Sequence, residues 1–237
     1  MRADEDRGAQ GFAGELLAVV RAHAYRDPMF DAIRNGEMSR EGIKLWTLQA
    51  MLVVREFTRF ISAIHSNCPD REAQELLAAN LWEEHGGGSP RRDHLALIGR
   101  MARGLGATED EVHHTAPLPE TGDYIDHCLR VTRFGSIVEG LTAIGIGIEH
   151  SMPLFFGALA EALQRRYGLS REDTEFLSVH IAEDKNHARR AIELIERYAD
   201  TDEVRTGAKR ALVETLEVKR RFSEALFAHC SSRAARA

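Results

Sequence analysis

Residues 180–187 read His-Ile-Ala-Glu-Asp-Lys-Asn-His and place His180, Asp184 and His187 at positions i, i+4 and i+7 of a predicted helix. At about 100° per residue, these three side chains fall within a sector of roughly 60° on one helix face. Imidazole and carboxylate groups stacked in this way form half of a divalent-metal site. The alternative is a solvated helix face in an Arg- and Glu-rich segment. Further candidate ligands elsewhere in the chain would favour the metal site over the solvated face.

A second pair of suitable ligands, Glu84 and His94, flanks the glycine run Gly86-Gly87-Gly88. In one unbroken helix their sequence separation of ten residues would place the two side chains about 15 Å apart, too far to share a metal. The glycine run can break the helix and bring them together. It can also be no more than a helix C-cap with a flexible turn.

The third candidate is Glu149, a carboxylate at the end of the apolar stretch Gly145-Ile-Gly-Ile-Glu149. Burying an ionised carboxylate costs several kcal/mol unless a positive charge meets it. A metal ion can supply that charge, and so can an arginine of this Arg-rich chain. Glu149 considered by itself does not decide between the metal ion and the arginine.

Apolar residues recur at three- and four-residue steps along almost the whole chain, which predicts an all-α fold of seven or eight helices. We expect a single domain over residues 1–237, with a core at about 11–230 and a loose tail from Ser231 to Ala237. Ser39 and Asp70 are N-caps that mark the starts of two of these helices, and Thr108 with Glu111 forms the capping box of an additional short helix. Other helices are predicted at about 11–25, 91–103, 122–134, 136–167 with a kink at Pro153, from Ser170 onwards, and 202–229.

Composition limits the partners. The 31 basic and 37 acidic residues are interspersed and give a formal net charge of -6, so no basic patch suggests nucleic acid. No apolar run is long enough to span a membrane, and the N-terminus does not resemble a signal peptide, so we expect a cytoplasmic protein. The three cysteines, Cys68, Cys128 and Cys230, lack CxxC spacing and are expected to be ordinary thiols.

Together the candidate ligands are three imidazoles and three carboxylates on several helices: Glu84, His94, Glu149, His180, Asp184 and His187. This set is too large and too rich in oxygen ligands for one tetrahedral zinc ion. It suits two ions of iron or manganese that keep open positions for O2 or substrate. A ferritin-like bundle would offer two Glu-x-x-His pairs, which are absent at these sites, so another kind of bundle is expected.

These residues resemble the haem-oxygenase-like di-iron oxidases and oxygenases, a family related in fold to the TenA and PqqC proteins. The stretch Asn80-Leu-Trp-Glu-Glu-His-Gly86, then His94, Glu149 and His180-x3-Asp184-x2-His187, is similar to that family's ligand order of Glu, His, Glu, His, Asp and His. The resemblance covers about residues 20–200. Segments 35–39 and 62–68 resemble the CADD-type p-aminobenzoate synthases. The resemblance implies a haem-oxygenase-like bundle, two Fe(II) ions held by the six residues, and O2 as co-substrate.

The resemblance also shows departures. CADD-type enzymes consume a Tyr and a Lys of their own, and Phe30 and Leu159 stand at the positions aligned with these two residues. Some members recruit an additional Glu from the second predicted helix, a place that Glu56 could fill here. Arg55 or Arg59 could anchor a substrate carboxylate, although surface positions are the ordinary reading for both.

The function expected from the sequence is therefore an O2-dependent, non-haem di-iron oxidase or oxygenase. Its substrate would be a small carboxylate-bearing molecule, an amino acid or derivative, that undergoes N-oxygenation, desaturation or C–C cleavage. The ten-residue spacing from Glu84 to His94 favours this over the family's fatty-acid decarboxylases. A decarboxylase, a metal-free PqqC-like or TenA-like enzyme and a binding protein are the alternatives. The sequence leaves homodimer formation open.

Overall fold

The computed structural model describes residues 11–23, 27–150 and 153–234, and short turns connect the helices in this part of the chain. It contains eleven α-helices and one π-helical segment. In chain order they are α1 (Phe12–Ala22), α2 (Pro28–Asn35), α3 (Arg40–Asn67), α4 (Arg71–Glu84), α5 (His94–Gly104), α6 (Glu109–His114), α7 (Pro119–Phe134), α8 (Ile137–Leu141), the π segment (Thr142–Glu149), α9 (Pro153–Tyr167), α10 (Glu175–Tyr198) and α11 (Asp202–Ala234). The predicted all-α class is confirmed, whereas the predicted number of helices is too low.

Helix α2 was missed because eight residues are too few to show a helical period. Its end signals are nevertheless in the sequence. The Asp27 side chain accepts a hydrogen bond from the Met29 N–H, Pro28 occupies the first turn, and Gly36 ends the helix with a φ of 78°.

Other boundaries also differ from the predictions. The stretch 136–167, predicted as one helix, is divided into α8, the π segment and α9. The predicted kink borders residues 151–152, which lie outside the described residues, as do residues 24–26 at the predicted end of the first helix. Helix α10 begins at Glu175, after a turn in which Ser170 and Asp173 bond to each other. Helix α11 continues to Ala234, so part of the predicted tail is helical.

The predicted helix starts are confirmed in their bonding. The Ser39 hydroxyl accepts the Gly42 N–H, and the Asp70 carboxylate accepts the Ala73 N–H. Thr108 and Glu111 form a reciprocal capping box. Each of these bonds satisfies an N–H that the first turn of a helix leaves without an intrahelical partner.

Helix α3 is central to the packing and contacts α4, α5, α7 and α11. Apolar side chains fill two clusters. One joins α2, α3, α5 and α9 through Met29, Met51, Leu97 and Leu163, and the other joins α1, α3, α4, α11 and the π segment through Phe12, Phe60, Leu77, Leu212 and Ile146. All three cysteines are buried thiols, as predicted. Among the described residues, no helix combines the length and apolar composition that crossing a membrane needs.

The π segment lies between α10 and α11 and all of its residues are buried. The His150 N–H donates to the Gly145 carbonyl, five residues back, which is the π-helical bond. Two glycines allow the neighbouring helices to approach. A Cβ at Gly145 would lie 2.3 Å from the Ala191 Cβ of α10, and one at Gly147 would lie 3.1 Å from Thr215 Cγ2 of α11. Close packing on both sides therefore fixes the segment that ends at Glu149.

This packing predicts opposite effects for two glycine-to-alanine substitutions. Gly145→Ala should lower the free energy of unfolding by about 1–3 kcal/mol, because the added methyl group overlaps Ala191. Gly122→Ala, in α7 with open space around the added Cβ, should instead raise it by about 0.5–1 kcal/mol. Urea unfolding of both variants measures the difference. A Gly145→Ala variant as stable as Gly122→Ala would contradict the close approach of α10.

Candidate metal centre

The glycine turn between α4 and α5 brings Glu84 and His94 together. Gly86, Gly87 and Gly88 all have φ between 59° and 90°, a region that other residues rarely adopt. A Cβ at Gly86 would lie 2.4 Å from the Ser89 carbonyl oxygen, so the reversal requires glycine there. Asp93 caps α5 and makes His94 its first residue. The result is a distance of 2.7 Å between Glu84 Oε2 and His94 Nδ1, both buried.

Helix α10 supplies the three predicted ligands on one face. Asp184 and His187 are buried, and His180 is half-buried. His180 Nδ1 donates to the Phe176 carbonyl one turn earlier at 2.7 Å. In the neutral ring, Nε2 is then the nitrogen whose lone pair can bind a metal. The His180 ring lies 4.4 Å, centroid to centroid, from that of His94. The helix face therefore meets the α4–α5 turn.

Glu149, at the end of the π segment, completes the group. Its Oε1 lies 3.0 Å from His187 Nδ1, and Glu84 Oε1 lies 3.6 Å from the same nitrogen. One ligand atom each from Glu84, Glu149 and His187 falls within 4.8 Å of the others. The Glu149 carboxylate pairs with the His187 imidazole, whereas the neighbouring Arg190 pairs with Glu83.

Two further carboxylates contact the outer nitrogens of the same imidazoles. Glu83 Oε2 lies 2.9 Å from His187 Nε2, and Glu183 Oε2 lies 2.9 Å from His94 Nε2. Neither residue was among the predicted ligands. The available signal is position, because each Glu directly precedes a predicted ligand, Glu84 or Asp184.

Burial and charge act in opposite directions on the two imidazoles. Burial disfavours the charged ring of His94, but Glu183 and Glu84 overcome this effect and raise the pKa of His94 to about 10. For His187, Glu149, Glu84 and Glu83 likewise outweigh burial and raise the pKa to about 9. Without a metal, the cluster holds these rings as imidazolium ions.

Burial makes the charged forms of Asp184, Glu149 and His180 less favourable. Burial, and then repulsion from Glu149 and Glu84, raises the pKa of Asp184 well above its usual value. Burial also raises the pKa of Glu149. His180 cannot become charged easily, because burial and the neighbouring His94 lower its pKa to about 4. A neutral imidazole is the form that binds a metal.

The residues present fit metal ions. His94 Nδ1 is buried and has no hydrogen-bond partner in the described part of the chain, although Glu84 Oε2 is 2.7 Å away. Two heteroatoms so close and so poorly aligned for a hydrogen bond suit a shared cation. Three buried carboxylates and three imidazoles form the oxygen- and nitrogen-rich donor set preferred by iron or manganese.

The additional candidates do not join this group. Glu56 forms an ion pair with Arg59 on its own helix, instead of an extra ligand contact. Arg59 and Arg55 are exposed, and the Arg55 guanidinium reaches the Val112 carbonyl at 3.4 Å. These positions agree with the surface reading of both arginines.

The sequence and the fold have counterparts in known proteins. Residues 44–215 match the sequence model of a family described as iron-containing redox enzymes, and the chain therefore belongs to this family and is an oxidoreductase. The 4-aminobenzoate synthase of Nitrosomonas europaea is 29% identical over 232 residues, which cover 91% of this chain and 88% of the relative. That of Chlamydia muridarum is 26% identical over 212 residues, or 88% of each chain. A Shewanella denitrificans domain of unknown function with a haem-oxygenase-like fold superposes with a TM-score of 0.76 at 14% identity, covering 97% of this chain and 94% of that one. The predicted haem-oxygenase-like fold is confirmed.

The raised pKa values predict how pH affects the metal-free protein. His94 and His187 titrate near 10 and 9 when folded and near 6.5 when unfolded, so their stabilising contribution is complete below pH 6.5 and is lost as pH rises through 9 to 10. The Tm of metal-free protein should therefore fall over this range, and His94→Gln should flatten the fall. His114→Gln removes an exposed imidazole and serves as the control. A His94→Gln profile that falls as steeply as that of His114→Gln would contradict the imidazolium assignment.

Proposed function

We propose that this member of the iron-containing redox enzymes is a non-haem di-iron oxidase or oxygenase that uses O2 to oxidise a small carboxylate-bearing substrate. One observation carries the two-ion proposal. The two oxygens of Glu84 face different imidazoles, Oε2 at 2.7 Å from His94 Nδ1 and Oε1 at 3.6 Å from His187 Nδ1. Glu84 would therefore help to hold both ions, one together with His94 and the other together with His187.

Glu84 divides the remaining ligands into two groups. Glu149 and His187 lie on one side of it, and His94 with the nearby ring of His180 lies on the other. Asp184 is buried and close enough to Glu84 and Glu149 for their charges to act on it. With three carboxylates and two Fe(II) ions, the buried site would carry a net charge of about +1. The two ions alone or the three carboxylates alone would leave a much larger buried charge uncompensated.

Iron bound here would supply the affinity for O2 and the electrons that reduce it. The protein's own groups provide the surroundings. Burial of Glu84, Glu149 and His187 keeps bulk water from the ligand atoms, and Glu83 and Glu183 accept the outer N–H groups of His187 and His94. A metal bound at the inner nitrogens would displace the Nδ1 proton of each ring, while the Nε2–H groups stay bonded to Glu183 and Glu83.

The identity of the substrate rests on weaker support. The relatives are named 4-aminobenzoate synthases, which makes an aromatic amino acid or its derivative the first class to test. The CADD-type resemblance would require a phenol and an amine at positions 30 and 159. Phe30, which packs against Trp46, and the buried Leu159 carry neither group. We therefore infer that the substrate is a separate small molecule.

The alternatives have less support. A TenA-like reaction would use a reactive thiolate, but burial raises the pKa of Cys128 to about 12. A metal-free binding protein would have only the two imidazolium ions of His94 and His187 to compensate three buried carboxylates. A fatty-acid decarboxylase would keep the same metal centre and differs only in substrate. The experiment below distinguishes it.

Oxygen uptake tests the proposal. Protein loaded anaerobically with Fe(II) should consume O2, and the substrate should be the compound that accelerates uptake, with aromatic amino acids tested against medium-chain fatty acids. His187→Ala should abolish uptake because it removes one ligand from a metal position, while His114→Ala, an exposed histidine, should not. Absence of iron-dependent uptake with every compound would refute the oxidase proposal. Acceleration by fatty acids alone would replace the amino-acid substrate with the decarboxylase reading.

A further inference from the structure

Two carboxylate–imidazole–carboxylate chains run from the buried cluster towards the surface. In one, His94 lies between Glu84 Oε2 at 2.7 Å and Glu183 Oε2 at 2.9 Å. In the other, His187 lies between Glu149 Oε1 at 3.0 Å and Glu83 Oε2 at 2.9 Å. The inner carboxylates are nearly inaccessible, with exposed side-chain fractions of 3% and 6%, whereas Glu183 and Glu83 are 24% and 31% exposed. Each imidazole therefore has an inner and an outer partner.

The outer partner determines which ring nitrogen can bind a metal. When Nε2–H donates to an outer carboxylate, the neutral ring keeps its proton there and directs the Nδ1 lone pair inward. The same bond fixes the rotation of the ring and increases its basicity. Glu183 and Glu83 are thus placed to hold His94 and His187 ready for a metal.

The two outer carboxylates are not held equally. Arg190 binds both oxygens of Glu83, at 2.6 and 3.0 Å, and also bonds Asn80 at 2.5 Å. This planar, two-bond contact anchors Glu83 to α10 and lowers the pKa of its carboxyl. Among the described residues, the cationic side chain paired with Glu183 on its outer side is Arg92, whose guanidinium is 3.7 Å away and 55% exposed. Exposed ion pairs of this length contribute little.

We propose that Glu83 and Glu183 are positioning residues for the two imidazoles, and that the weaker anchoring of Glu183 makes the metal position at His94 the exchangeable one. This inference rests on the proposed two-metal centre. The firmly held chain through Glu83 and His187 keeps its ion, and the chain through Glu183 and His94 loses its ion first.

Mn(II) binding tests the inference without any turnover. Free and bound Mn(II) differ in their electron paramagnetic resonance spectra, so a titration followed by a chelator chase counts the ions and gives the release rate of each. Wild-type protein should bind two ions and release them in a fast and a slow phase. Glu183→Gln should weaken the fast-releasing site alone by about 10- to 100-fold, and Glu83→Gln should weaken the slow-releasing site. Glu183→Asp, which keeps the charge, should restore part of the affinity. Glu193→Gln, at an exposed carboxylate of the same helix, is the matched control.

The outcomes separate this inference from the proposal on which it rests. Wild-type protein that binds one ion or none refutes the two-metal centre itself. Two bound ions with Glu183→Gln indistinguishable from Glu193→Gln refute the positioning role. Equal weakening of both sites by Glu183→Gln, as a general disturbance of α10 would cause, also overturns it. Loss confined to the fast phase supports it.

Discussion

The structure depends on how three carboxylates, Glu84, Glu149 and Asp184, are kept inside a helical core. Each buried negative charge costs several kcal/mol unless cations or protons compensate it. In the described part of the chain, arginine pairs with the outer Glu83, and the inner carboxylates face imidazoles instead. The raised pKa values of His94, His187 and Asp184 show protons occupying the place of cations. A pair of divalent ions would relieve the same imbalance with better ligands.

Three backbone features serve this cluster. The glycine turn reverses the chain between Glu84 and His94, and the glycines of the π segment let α10 and α11 approach Glu149. Helix α10 adds three ligands at helical spacing from one continuous element. A π segment at such a point is in keeping with the tendency of π-helices to occur at functional sites, because the wider turn changes the direction in which a side chain projects.

The sequence was informative where the determinants are local. Helix starts are marked by N-cap side chains that bond to residues three positions away, at Ser39, Asp70 and Thr108. The spacing of His180, Asp184 and His187 is itself a helical period. The glycine run indicated that the helix could break between Glu84 and His94. The fold is needed to show that these two side chains come within 2.7 Å of each other.

Features that depend on distant partners could not be predicted in this way. The contact of Glu183 with His94 joins residues 89 positions apart, and the π segment is confined by Ala191 and Thr215 on two other helices. Helix α2 escaped prediction because it is short and its burial comes from α9 and α11. Side-chain chemistry thus identified the ligand types, while the packing of the helices determined which atoms meet.

Anomalous diffraction at the iron absorption edge, from crystals grown anaerobically with Fe(II), tests the central claim most directly. The account predicts two iron peaks within the buried cluster, one beside His187 and Glu149 and one beside His94, with Glu84 between them. A single peak, or none in crystals that otherwise show ordered side chains at these residues, would contradict a di-iron centre.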